Sequence, residues 1–117
     1  MNEKFYLGTY TKRDSKGVYF VTLNKETEQL ESLILEADID NPTYLSYSKN
    51  DQLLFTVGKG EEHCGISANN AKVSPVERLA SIEDQQAVPC YIRYNEKTGD
   101  VLTANYHGGF VELYHYD

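Results

Sequence analysis

Apolar and polar residues alternate over short segments of this chain, in the manner of β-strands. Within residues 43–48, Leu45 and Tyr47 alternate with serines, and residues 110–116 are rich in tyrosine, phenylalanine and valine. Turn-forming sequences such as residues 97–100 (Lys-Thr-Gly-Asp) separate these segments. The pattern therefore predicts a chain made of short strands joined by tight turns.

Three kinds of segment recur in an order that does not change. Residues 42–47 (Pro-Thr-Tyr-Leu-Ser-Tyr) align with residues 89–94 (Pro-Cys-Tyr-Ile-Arg-Tyr) at an offset of 47 positions (89 − 42). The other two kinds comprise residues 6–10, 54–58 and 102–106, and the glycine-led residues 17–21, 65–68 and 109–113. A period in the forties built from short strands predicts one four-stranded propeller blade per repeat.

Two segments also fit a helix. Four apolar residues within residues 25–38 have helical spacing, and residues 74–77 (Ser-Pro-Val-Glu) resemble a capping box with proline at the first helical position. Taken locally, strands alternating with helices would indicate a parallel α/β sheet. Each segment, however, follows a glycine-led strand and precedes a proline-led one, where a blade needs its outer fourth strand. We therefore predict strands in both places.

Composition excludes several classes of function. The 117 residues include 11 Lys plus Arg and 18 Asp plus Glu, so the net charge of −7 argues against binding to nucleic acid or to an anionic membrane. No apolar leader follows Met1, and the longest aliphatic run is residues 33–35, so we expect neither a signal peptide nor a membrane span.

Cys64 and Cys90 are then interpreted as reduced thiols of a cytoplasmic protein, with a single disulfide as the less favoured alternative. The histidine and cysteine spacing does not predict a metal site.

A family resemblance rests on several of these segments. They are residues 6–11 and 17–19, residues 41–45, and above all residues 89–91 (Pro-Cys-Tyr) followed by residues 102–109 (Leu-Thr-Ala-Asn-Tyr-His-Gly-Gly). With them the sequence resembles the N-terminal part of the bacterial 6-phosphogluconolactonase family of seven-bladed β-propellers, also called the lactonase family. One departure is Tyr91, which stands where many members have histidine.

The resemblance implies an all-β fold, an incomplete β-propeller of four-stranded antiparallel blades, with about two and a half of the seven blades within residues 1–117. Residues 4–36 would form the outer three strands of the ring-closing blade, residues 42–82 one full blade, and residues 89–116 three strands of the next blade. Terminal blades without neighbours expose apolar faces, so we expect this piece to self-associate.

The resemblance also implies an activity. The parent protein would hydrolyse 6-phosphoglucono-1,5-lactone to 6-phosphogluconate in the pentose phosphate pathway, with water as the nucleophile and without a cofactor. Its partner would be a small phosphorylated sugar lactone, and the catalytic charged residues would lie in later blades, so this piece alone would be inactive. Two alternatives remain open: a muconate-type lactonising cyclase of the same fold, and a noncatalytic propeller that serves as a binding platform.

Ligands of propellers bind where loops converge on the central channel, and six residues are candidates to contact the substrate there: Thr9, Tyr10, Tyr91, Asn105, Tyr106 and His107. His107 is also a candidate base or hydrogen-bond donor. The alternative for the last three is an ordinary hairpin with an exposed histidine, and for the first two a turn in which side chains satisfy the backbone.

Two further features have structural alternatives that we favour. The basic residues Lys12, Arg13 and Lys16 could contact a phosphate, but we favour a solvated connecting loop, because runs of charge usually form one. Cys90 could act as a nucleophile, but no residue is assigned to orient it, so we expect a buried, inert thiol.

Overall fold

The computed structural model describes residues 2–117, and this part of the chain forms ten β-strands without a helix. The strands are β1 (Asn2–Leu7), β2 (Gly17–Asn24), β3 (Gln29–Asp38), β4 (Leu45–Ser48), β5 (Leu53–Lys59), β6 (Cys64–Asn70), β7 (Glu77–Gln85), β8 (Tyr91–Asn95), β9 (Asp100–Asn105) and β10 (Phe110–His115). The predicted all-β fold is confirmed. Residues 2–117 contain no helix that could cross a membrane.

The strands form three antiparallel sheets, each of which follows the chain as a simple meander. The first sheet has the order β1-β2-β3, the middle sheet β4-β5-β6-β7, and the third sheet β8-β9-β10. Small sheets of three or four antiparallel strands are what part of a β-propeller requires. The assignment of these sheets to a ring-closing blade, a full blade and a partial blade stays a prediction.

The two segments with helical features are strands β3 and β7, as the repeat predicts. In β3, two residues, Ser32 and Leu33, lie opposite the single residue Val21, and Ser32 adopts a φ of 58°. Such a bulge resets the alternation of side chains between the two faces. The reset produces the three-to-four-residue spacing that resembles a helix, although Leu33 and its apolar neighbours on this outer strand are largely exposed.

The middle sheet is covered on both faces. One cluster lies between it and the third sheet and joins the buried residues Phe55, Val57, Ile66, Ala68, Ile92 and Val101. A second cluster lies between it and the first sheet and joins Leu54 to Val18 and Ile39. Because successive residues of a strand point to opposite faces, β5 contributes Leu54 to one core and Phe55 to the other.

Polar contacts supplement these two cores. The Glu36 side chain, 3% exposed, accepts hydrogen bonds from Ser74 Oγ at 2.6 Å and from the Val76 backbone N–H at 3.1 Å. These bonds join β3 of the first sheet to the segment that precedes β7 of the middle sheet. A buried carboxylate is tolerated in a protein interior only when hydrogen bonds replace its water, and Glu36 meets that condition.

Replacement of Glu36 by alanine should therefore destabilise the fold. It leaves a hydroxyl and a backbone N–H without their acceptor, which should lower the free energy of unfolding by about 1–3 kcal/mol. Glu31→Ala, on the exposed part of the same strand, should change it by less than about 0.5 kcal/mol. Urea unfolding followed by circular dichroism provides the measurement, and equal losses in the two variants would contradict the role given to Glu36.

Candidate functional site

The strand order places five connecting segments on one rim of the three sheets, here called the upper rim. They are residues 8–16, 39–44, 60–63, 86–90 and 106–109. Backbone hydrogen bonds join neighbouring segments: the Thr9 N–H donates to the Pro42 carbonyl at 3.1 Å, and the Lys59 N–H donates to the Asp40 carbonyl at 2.8 Å. The six predicted site residues all lie on this rim or directly beside it.

The loop of residues 8–16 is closed by its own side chains. Thr9 Oγ1 donates to the Gly17 carbonyl at 2.6 Å and shares a second hydrogen bond with Ser15 Oγ. Tyr10 points to solvent, 70% exposed, and Lys12 Nζ lies 5.9 Å from its ring centroid. Thr9 therefore has the structural task that the alternative interpretation described, whereas Tyr10 is accessible to a ligand. The basic residues of this loop are exposed, and their contact with a phosphate stays a prediction.

The same loop is tied to the connection that leads into β4. The Thr11 N–H donates to Asn41 Oδ1 at 2.9 Å, and the Asn41 N–H donates back to Thr11 Oγ1 at 3.0 Å. Asn41 adopts a φ of 49°, in the left-handed region that asparagine tolerates better than most residues. The reciprocal pair holds the loop of the first sheet over the start of the middle sheet.

Asn105 supports the loop of residues 106–109 from below. Its side chain is 2% exposed, and its Nδ2 donates to Gln85 Oε1 at 2.8 Å and to the Ala87 carbonyl at 2.9 Å. Its Oδ1 accepts from the Gly108 N–H at 3.2 Å, and its carbonyl accepts from the Gly109 N–H at 2.9 Å. With these bonds formed and the side chain buried, Asn105 positions the loop. Its contact with the substrate stays a prediction.

Gln85 extends this support to β10. Its Nε2 donates to Tyr114 Oη at 3.0 Å, and Tyr114 Oη donates to Asp84 Oδ1 at 3.0 Å. Burial raises the pKa of Tyr114 to about 12, so the phenol keeps the proton that it donates. The sequence analysis did not single out Gln85, because nothing in its local sequence distinguishes a buried glutamine from an exposed one.

Tyr106 and His107 form the exposed tip of this loop. Tyr106 is 72% exposed, and its ring centroid lies 4.1 Å from that of His107. Within residues 2–117 no side chain forms a hydrogen bond that orients the His107 ring. His107 is thus accessible to a ligand, but it lacks the oriented partner that an activated base has.

Tyr91 is paired with Tyr44, which the sequence analysis did not include among the site residues. Their ring centroids are 5.0 Å apart at an interplanar angle of 46°. Both flank a groove of about 400 Å³, here called the inner groove, which is lined by residues 44–48 and 91–94 together with Glu96. The signal that could have identified Tyr44 is the repeat itself, since the offset of 47 positions aligns it with Tyr91.

The prediction of a buried Cys90 is wrong. Cys90 is exposed, and its Sγ lies 3.3 Å from the Ala104 carbonyl, whereas Cys64 is buried. Cys90 immediately precedes β8 at the upper rim, where the connection is open to solvent. Among residues 2–117, no three histidine, cysteine or acidic side chains are grouped to hold a metal ion.

The support from Asn105 can be tested by Asn105→Ala. Loss of its buried hydrogen bonds should lower the free energy of unfolding by about 1–3 kcal/mol and accelerate amide hydrogen exchange at Gly108. Asn95→Ala is a matched control, because Asn95 is exposed and its side chain accepts only from the Lys97 N–H, in a turn at the opposite rim. Hydrogen exchange followed by NMR should separate the two variants. An unchanged rate at Gly108 in Asn105→Ala would contradict the positioning role.

Comparison with known proteins places this geometry in a family. The chain is 34% identical over 112 residues to the 6-phosphogluconolactonase of Bacillus subtilis (strain 168), an alignment that covers 93% of this chain and 32% of the relative. A crystal structure of a Lactobacillus plantarum protein superposes with a TM-score of 0.93 at 32% identity, over 100% of this chain and 34% of that one. A candidate 6-phosphogluconolactonase from Bacteroides fragilis superposes with a TM-score of 0.83 at 27% identity, over 99% and 33% of the two chains.

The chain thus spans about a third of the length of these relatives. The match to the family extends over residues 4–117, which includes the first sheet from Lys4 onward, the whole of the other two sheets and every segment of the upper rim. This chain therefore belongs to the family described as lactonase, 7-bladed beta-propeller.

Proposed function

We propose that the protein to which these residues belong hydrolyses 6-phosphoglucono-1,5-lactone to 6-phosphogluconate in the pentose phosphate pathway. The observation that carries the proposal is the 34% identity, over 93% of this chain, to a Bacillus subtilis 6-phosphogluconolactonase. The upper rim supports it, because loops with accessible aromatic and imidazole side chains surround the start of the inner strands.

The chemistry consists of one addition and one elimination. Water attacks the lactone carbonyl carbon while a base removes its proton, and backbone or side-chain donors stabilise the oxyanion that forms. The ring C–O bond then breaks, and the departing alkoxide takes up a proton to give the open-chain hydroxy acid. No cofactor is needed for these steps.

We assign contact with the substrate to Tyr10, Tyr91, Tyr106 and His107, with Thr9 at the edge of the site. Asn105 acts on the substrate only through the loop that it positions. His107 serves as a hydrogen-bond donor in this proposal, and the base belongs to the two thirds of the relatives' length that this chain does not span. The partner is a small phosphorylated lactone, and the net charge of −7 argues against nucleic acid or an anionic membrane. The free thiol of exposed Cys90 supports a reducing cytoplasm as the location.

Hydrolysis of 6-phosphoglucono-1,5-lactone, measured by proton release, tests this proposal. We expect activity from the complete reading frame that encodes this chain and none above background from residues 1–117 alone, since the inner groove is open to water and His107 lacks an orienting partner. Absence of lactone hydrolysis by the protein that the complete reading frame encodes would overturn the proposal. Lactonisation of a muconate-type acid instead would favour the cyclase of the same fold, and neither activity would favour a binding platform.

We also propose that the 117-residue chain associates with a second copy of itself through the third sheet. The register places Leu102 and Leu113 opposite each other on one face of this sheet, next to Val111. Val111 and Leu113 are 68% and 67% exposed. Strand β10 also forms the edge of its sheet, and an edge strand with apolar side chains favours pairing between chains.

Light scattering coupled to size-exclusion chromatography tests this association. The wild-type chain should elute as a dimer or larger species, and Val111→Lys combined with Leu113→Lys should shift it to the monomer because the added charges repel. Leu79→Lys, an exposed leucine of β7 in the middle sheet, should leave the mass unchanged. A monodisperse wild-type monomer would exclude the association.

A further inference from the structure

Tyr44 and Tyr91 occupy equivalent places in two neighbouring sheets. Each is the third residue of the repeated six-residue segment, two positions after a proline and at the start of the inner strand β4 or β8. Since the two inner strands lie side by side, the repeat places the two rings next to each other, with centroids 5.0 Å apart. Tyr44 remains 42% exposed, so the pair offers an accessible aromatic surface at the upper rim.

The inner groove continues from this pair along β4 and β8. It has a volume of about 400 Å³ and is open to solvent along its length. Its floor is built by polar contacts between the strands. Ser46 Oγ accepts from the Tyr94 N–H at 3.1 Å, and Ser48 Oγ donates to Glu96 Oε2 at 2.5 Å. The groove is therefore pre-formed by bonds that a ligand need not create.

One cation lines this groove. Arg93 is exposed, and it forms no ion pair with any residue of the range 2–117. It follows Tyr91 by two positions in β8, so the two side chains leave the same face of the strand about 7 Å apart. An aromatic ring next to an arginine at this separation fits a ligand that has a ring or polyol body and an anionic end, because a guanidinium binds phosphate or carboxylate through paired donors.

We propose that Tyr44 and Tyr91 form a platform for the sugar body of the substrate and that Arg93 binds its anionic end. This proposal rests on the proposed function, since it specifies how the same rim would recognise a phosphorylated sugar lactone. The platform adds Tyr44 and Arg93 to the residues assigned above. Neither tyrosine takes part in the chemical step, so both act in binding.

The test measures binding of 6-phosphogluconate, the stable product, to the complete protein by NMR, because Arg93 shares a sheet face with Leu102 and Leu113 and would be covered if the 117-residue chain associates. Titration should shift the ring signals of Tyr44 and Tyr91 and the side-chain signal of Arg93. Tyr44→Ala and Tyr91→Ala should each weaken binding about tenfold, whereas Tyr44→Phe and Tyr91→Phe should weaken it less than threefold because the ring is retained. Tyr19→Ala, which removes a half-buried ring of the first sheet, should leave the affinity unchanged, and thermal melting should verify that each variant is folded.

Four ligands separate the parts of the site. Gluconate and 6-phosphogluconate should both shift the ring signals of the two tyrosines. Arg93→Gln should weaken the binding of 6-phosphogluconate about tenfold and leave the binding of neutral glucose unchanged. Inorganic phosphate should shift the side-chain signal of Arg93 and leave the tyrosine signals unchanged. Unchanged tyrosine signals with 6-phosphogluconate, or equal affinity in wild type and folded Tyr44→Ala, would overturn the platform.

The complete reading frame distinguishes failure of the platform from failure of the proposed function. If the protein encoded by the complete reading frame hydrolyses the lactone and Tyr44→Ala leaves its KM unchanged, the platform proposal is wrong and the proposed function stands. If it does not hydrolyse the lactone but the tyrosine-dependent binding persists, the platform stands as a site for anionic sugars and the proposed function is wrong.

Discussion

Strand β5 is buried on both faces, and the rest of the structure depends on this constraint. Leu54, Phe55, Thr56 and Val57 are each at most 1% exposed, and they alternate between the two cores. A shift of one residue in register would exchange the Phe55 and Val57 side chains for Leu54 and Thr56, so that a hydroxyl would enter the larger apolar cluster. On its own face Thr56 is satisfied, since its Oγ1 lies 2.6 Å from Ser67 Oγ. The burial of β5 therefore fixes the register of the middle sheet.

A fixed register in the middle sheet also fixes the upper rim. Strand β4 pairs with β5 over only four residues, so the place where it begins depends on the β5 pairing. Because β4 begins at Leu45, the preceding Tyr44 lies at the rim, within contact of Tyr91. The third sheet is then held by the Phe55 cluster and by the bonds of Ser46 and Ser48 to β8 and to Glu96. The burial of β5 thus determines which side chains meet at the upper rim and along the inner groove.

The fold was more predictable from the sequence than the site was. The repeat predicts strands even where Leu30, Leu33 and Ile34 have helical spacing, because repetition reflects the pairing of whole strands whereas local spacing is disturbed by a single bulge. The site depends on contacts between sheets, which no local pattern encodes. Asn105 has the sequence context of a ligand residue, yet Gln85, which lies 20 positions away, makes it a buried support. Cys90 likewise follows a proline in an apolar context and is exposed.

The two copies of the six-residue segment, residues 42–47 and 89–94, differ at their fifth position, which is Ser46 in the first copy and the positively charged Arg93 in the second. The tyrosines at the third position form the same ring pair from both sides, so this position has one task in both sheets. At the fifth position Ser46 accepts the backbone N–H of Tyr94, whereas Arg93 forms no ion pair with any residue of the described range. Only one hydroxyl is needed to join the two strands, and the serine of the middle sheet supplies it. Within residues 2–117 the equivalent position in the third sheet therefore has no structural task, and under this condition Arg93 can present a cation to a ligand.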